Sequence, residues 1–178
     1  MKHCSRLVLL ILTTCLLAAC TVSSRQGSAL LQAFQADDDA LQAYRWQARL
    51  GGYSTNLLAV RHGGDTLFSN QQGDLLVFDG WTISRVVELG PLDREIDIHG
   101  HEGARIISSG ARAVTHQCQP WQSQPLEDGG KRFIQDCEGR EPYRNRIDIN
   151  AGGGIVRVEQ VINDRGQFIV LLGPNQAR

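Results

Sequence analysis

From residue 44 onward the chain alternates apolar and polar residues with a period of two. No other feature of the sequence restricts the fold as much. Trp46, Ala48 and Leu50 alternate with Arg45, Gln47 and Arg49, the pattern of a strand with one buried face. Similar runs recur, among them residues 56–61, 74–78, 81–89, 95–99, 131–138, 143–150, 155–162 and 167–172. Turn-forming clusters separate them: Gly63-Gly64-Asp65, Asp79-Gly80, Gly152-Gly153-Gly154 and Asn163-Asp164-Arg165-Gly166. Asp79-Gly80 between apolar runs predicts a two-residue hairpin with a type I′ turn. Two prolines and a Gly-Gly make residues 120–130 read as loop. About ten short strands without intervening helices predict a mainly β domain, either an antiparallel sandwich or a strongly curved sheet.

One helix is expected ahead of the strands. Ala29, Leu30, Ala33, Phe34 and Leu41 fall at helical spacing, with Ser28 as N-cap. Asp37-Asp38-Asp39 interrupts that pattern and reads as a solvated face rather than a cation site.

The N-terminus has a different composition. Lys2, His3 and Arg6 form a basic start, and residues 7–17 are an apolar run of signal-peptide length, too short to span a bilayer comfortably. The run ends in Leu17-Ala18-Ala19-Cys20, which resembles the lipobox of bacterial lipoproteins. That resemblance implies a signal peptide at residues 1–19, cleavage before Cys20 and a lipid on the Cys20 thiol. Residues 20–27 become a lipidated tether and residues 28–178 a single periplasmic β-rich domain. Each buried acyl methylene contributes about 0.8 kcal/mol, so several chains hold such a protein firmly. Thr21, where an Asp would favour inner-membrane retention, implies the periplasmic face of the outer membrane.

Cys4 and Cys15 leave with the signal. Cys118 and Cys137 then remain as an even pair in an oxidising compartment, which predicts a disulfide worth about 3 kcal/mol in the loop-entropy model. The formal net charge of −1 provides no basic surface for nucleic acid.

Catalytic signatures are missing. There is no G-x-S-x-G elbow, Walker loop or G-x-G-x-x-G loop. A non-enzymatic protein without a cofactor is the expectation. His99-Gly100-His101-Glu102 is a weak metal candidate, because His99 and His101 would share one face of a strand beside Glu102. No second pair supplies the remaining ligands, so no metal site is expected there. Trp46, Trp81 and Trp121 offer a sugar-stacking platform in principle, but core or rim positions suit them better.

Two longer stretches carry a further resemblance. Residues 56–90 contain a strand, the Gly63–Asp65 turn, an apolar strand, Asp79-Gly80 and a closing Leu89-Gly90. Residues 143–174 contain an aromatic strand, the Gly152–Gly154 turn, a strand bearing Arg157 and Gln160, and an apolar strand before Pro174. Together they resemble the capsule-operon lipoprotein family of the GfcB/YjbF type. The family is associated with secretion or assembly of extracellular polysaccharide and brings no catalytic residues. It implies a role beside envelope polysaccharide-export proteins. The alternative is a periplasmic carrier or chaperone that holds a lipid-like ligand in the concave face of a curved sheet.

Overall fold

The computed structural model describes residues 44–92, 94–101 and 103–174. The chain divides into two compact units, Met1–Leu41 and Gln42–Arg178, and the described residues belong to the second. The expected N-terminal helix, Asp37 to Asp39 and Cys20 lie outside the described residues.

All regular structure among the described residues is β. Thirteen strands follow one another: β1 (Arg45–Leu50), β2 (Tyr53–His62), β3 (Asp65–Ser69), β4 (Leu75–Phe78), β5 (Ile83–Glu88), β6 (Ile96–His101), β7 (Ala104–Ser109), β8 (Arg112–Cys118), β9 (Gln122–Pro125), β10 (Lys131–Glu138), β11 (Pro142–Ile149), β12 (Ile155–Val161) and β13 (Phe168–Leu172). Every pairing is antiparallel. Strands β1 to β8 are neighbours in chain order, β10 joins β8 to β11, and β13 returns to β1. The result is a closed barrel of twelve strands, with β9 as a short flap along β10.

Of the expected sandwich or strongly curved sheet, the sheet is curved to the point of closure, and the cause lies in pairings distant in sequence. Gln47 to Leu50 of β1 pair with Leu172 to Ile169 of β13, so the first and last strands seal each other. A closed barrel leaves no long unpaired edge. Strand β9 falls within the segment expected to be loop. Its Pro125 cannot donate to a ladder, yet it sits opposite Lys131 at the end of an edge strand, where no donor is required.

The Asp79-Gly80 hairpin also differs from expectation. The connection spans residues 79–82, closed by the Asp79 amide donating to the Thr82 carbonyl at 3.0 Å. The Asp79 carboxylate accepts the amides of Trp81 at 2.8 Å and Thr82 at 2.7 Å, and Gly80 takes φ 97°. The aspartate therefore caps a longer turn through its side chain instead of serving as the first residue of a tight one.

Inward-facing side chains fill the middle of the barrel. Ala48, Leu50, Leu57, Phe68, Leu76, Ile83, Val86, Ile96, Ile98, Ile107, Val158, Ile169 and Leu171 form one buried cluster drawn from nearly the whole circumference. Opposite walls touch. The Gln160 side-chain amide on β12 donates to the Ile83 carbonyl at 2.7 Å and accepts the Ile83 amide at 3.1 Å. Asn145 on β11 accepts the Val161 amide at 3.0 Å and donates to Gln135 at 3.2 Å. The outer surface is polar and carries ion pairs such as Arg85 with Asp97 and Arg144 with Asp136. A barrel in lipid would instead turn an apolar band outward.

Candidate functional site

Because the middle is filled, open space collects toward the two ends. One end gathers the turns at residues 51–52, 70–74, 110–111 and 139–141, together with the β12–β13 turn. That last turn is built from its own sequence. Asn163 accepts the amides of Arg165 and Gln167, each at 3.1 Å, and the Ile162 amide donates to the Gln167 carbonyl at 3.0 Å. Asp164 and Arg165 consequently project beside β6, β7 and β8. Between them lies a cleft of about 340 Å³, with Ile96, Ile107, Val114 and Ile162 among its apolar lining and Arg94, Arg112, Arg165 and Asp164 among its polar lining. Among the described residues no carboxylate forms an ion pair with Arg112 or Arg165.

A second, smaller recess of about 250 Å³ adjoins the same turn and is lined by His116, Gly139, Arg140, Tyr143 and Asp164, among others. His116 Nδ1 and the Tyr143 hydroxyl are 2.8 Å apart. Burial pushes the His116 pKa down and the nearby Arg105 guanidinium adds to the shift, so the ring is neutral at neutral pH. Burial likewise raises the Tyr143 phenol. Arg105 is only 4% exposed, donates to Gln135 at 3.3 Å and leaves its Nε without a partner. It lines neither recess, so this buried cation belongs to the internal polar layer.

At the opposite end, a pocket of about 460 Å³ is lined by Trp46, Phe68, Phe78, Val158 and Leu171, with Arg61 at its edge. The sequence-predicted aromatics divide between two places. Trp46 packs edge-on against Phe68 with ring centres 5.0 Å apart, whereas Trp81 packs against Trp121 at 5.7 Å and Phe133 at 4.9 Å. All three tryptophans are half-buried in edge-on packing, and they do not form one flat platform.

The other predicted residues are placed as follows. Cys118 and Cys137 face each other in register and are joined by a disulfide. His99 is exposed on β6 opposite Ile106. Glu102 lies outside the described residues, and only the backbone of His101 is described. Among the described residues no group of three or more His, Cys, Asp or Glu could hold a metal ion. Sequence reasoning missed the cleft. Its two sides, residues 107–114 and 162–167, are distant in the chain, and no local pattern links them.

The residues behind the family resemblance act as internal braces. Asp74 accepts hydrogen bonds from Tyr53 at 2.7 Å, the Gly90 amide at 2.8 Å and Asn70. Burial raises its pKa, but these donors outweigh burial and the net shift is downward. Gly90 sits at φ 53° against Tyr53, and a Cβ there would overlap the ring. Leu89-Gly90 therefore ends β5 where only glycine fits.

No family model matches the chain, and no curated protein matches it. Among solved structures, the hypothetical lipoprotein YmcC from Escherichia coli K12 is similar. The likeness covers 86% of this chain and 95% of that one, with a TM-score of 0.57 and 13% identity. At that identity the likeness is one of fold. The chain thus shares its fold with that hypothetical lipoprotein.

Proposed function

We propose that this protein is a lipid-anchored, non-catalytic barrel that assists envelope or exopolysaccharide assembly at the periplasmic face of the outer membrane. One observation carries the reading: a fold shared along most of the chain with a hypothetical lipoprotein stands behind an N-terminal segment that ends like a lipobox at Cys20. The resemblance to the GfcB/YjbF type supports the polysaccharide connection and makes envelope export proteins the partners to test. Its characteristic residues, Gly90, Tyr143 and Gln160, are spent on packing and internal hydrogen bonds. A carrier that holds its ligand deep in the lumen is less favoured, because Gln160 and Ile83 bridge the opposite walls.

Two experiments separate the parts of this reading. Metabolic labelling with radioactive palmitate is expected to mark the protein and to fail on Cys20→Ser; unchanged labelling removes the anchor. Deleting the gene is expected to lower surface polysaccharide, with recovery on complementation. Normal polysaccharide in the deletion strain removes the assembly role and leaves the anchor standing.

A further inference from the structure

We propose that the cleft beside the β12–β13 turn binds a single acyl chain bearing an anionic head. The inference depends neither on the lipid anchor nor on the polysaccharide role. The cleft floor is aliphatic: Ile96, Ile107 and Ile162 lie almost fully buried beneath it and half-buried Val114 flanks it, while Ser108, Ser109, Asn163 and Gln167 share the lining. None of its lining residues is aromatic, which leaves no ring face for a sugar to lie on. An aliphatic floor suits a hydrocarbon chain, whose removal from water is favourable in proportion to the area covered. The volume of about 340 Å³ is at the low end for small-molecule sites, enough for one chain and too little for a two-chain lipid.

The rim determines the head group. Arg112 and Arg165 flank the aliphatic floor and form no ion pair among the described residues, while Asp164 is the one acidic lining residue. A guanidinium presents a planar fork of donors that matches a carboxylate or a phosphate. An amphiphile entering chain-first would leave its anionic head between these two arginines. Fatty acids and lysophospholipids share that chemistry.

The test uses the full protein as purified from cells, in phosphatidylcholine nanodiscs if it partitions with membranes and in plain buffer if it does not. Photoreactive palmitate and photoreactive lysophosphatidylglycerol are added in parallel, and the adducts are mapped by mass spectrometry. Adducts from at least one probe are expected on β6, β7, β8 and the β12–β13 turn, and the more efficient probe identifies the preferred head. Arg112→Glu combined with Arg165→Glu is expected to lower that yield at least tenfold, while the yield from photoreactive hexadecanol, which has no charge, stays within twofold. Val114→Trp, which fills the cleft from a half-buried position, is expected to lower the yield of all three probes. Adducts scattered over the outer surface, no adduct from either anionic probe, or an undiminished yield in the doubly reversed variant would overturn the proposal.

Discussion

Strand β10 meets a neighbour on each side, and the two seams are built differently. Toward β11 the pairing is continuous, from Lys131 opposite Ile149 to Glu138 opposite Pro142. Arg132 and Asp148 add an ion pair across it at 2.9 Å, and Arg144 with Asp136 another at 2.6 Å. Toward β8 only Cys137 opposite Cys118 and Glu138 opposite Gln117 are in register, with the Gln119 amide donating to the Asp136 carbonyl at 2.8 Å, and further along that edge β10 pairs with β9 instead. A hydrogen-bonded ladder zips one side and a covalent bond fastens the other. Where so few ladder bonds join two strands, a cross-link at the last residue of β8 reinforces the seam.

Cutting that fastener is the strongest way to break the contrast. Cys118→Ser with Cys137→Ser is expected to cost about 3 kcal/mol, the loop-entropy value for a bridge of this span. Urea unfolding of parent and variant, with and without reductant, measures it, and reductant is expected to move only the parent. Amide exchange locates the damage. Protection is expected to fall first in β8 and β9, while β10 and β11 keep theirs. Equal loss on both sides would show that the ladder alone does not hold its seam.

The second perturbation acts across the lumen. Gln160→Met keeps most of the side-chain volume but leaves the Ile83 amide and carbonyl unpartnered in the core, an expected loss of about 2 kcal/mol. Gln160→Ala adds a cavity and is expected to lose about 1 kcal/mol more. Thermal unfolding of the pair separates orphaned hydrogen bonds from lost packing. If Gln160→Met is as stable as the parent, the bridge is dispensable and the walls are held together by apolar contact alone.

Asp74 sharpens the comparison through pH. Its carboxylate is held below its ordinary pKa of 3.8 in the folded state. A lowered folded pKa gives stability that is present above the unfolded value and is lost as pH falls through the folded one. Its contribution should therefore begin to fall below about pH 4 and be gone only once the pH lies below the folded value. Asp74→Asn places an amide donor toward Tyr53 and Asn70 and is expected to cost about 1–2 kcal/mol at neutral pH. Thermal midpoints between pH 6 and pH 2.5 check the sign: the parent and variant curves should converge on acidification. Parallel curves would mean that Asp74 is not held charged by its donors.

Parts of this structure can be read directly from the sequence. Trp46, Ala48 and Leu50 announce β1 by their alternation, and the glycine- and asparagine-rich turns mark the strand ends, because these are local requirements on backbone and burial. Cys118 and Cys137 could be paired by elimination once a signal segment was assumed. Closure was not legible. It depends on β1 meeting β13 and on β10 reaching β8, and an alternating strand looks the same whether its neighbour is the next strand or the last. Gln160 shows the same limit at one residue. A polar side chain in an apolar run marks a position that needs a partner, yet nothing nearby names Ile83, which is 77 residues away. The cleft was hidden for this reason too, since its arginines come from β8 and the β12–β13 turn.

The β5–β6 seam is the remaining short one, and it has no disulfide. Only Arg85 opposite Asp97 and Val86 opposite Ile96 are in register. On the outside, Arg85 pairs with Asp97 at 2.6 Å and with Glu95 at 3.3 Å, but half of the Arg85 side chain is exposed. On the inside, Ile83, Val86, Ile96 and Ile98 are buried in the common core. An exposed ion pair is worth little because water screens it and ordering both side chains costs entropy. Asp97→Asn is therefore expected to cost about 0.5 kcal/mol, and less in 0.5 M salt, as measured by urea midpoints. Such a small loss would assign this seam to the apolar core behind it. A loss approaching that of the disulfide variant would instead make the outer charges the fastener, and the two short seams would then be alike in needing a specific cross-strand bond.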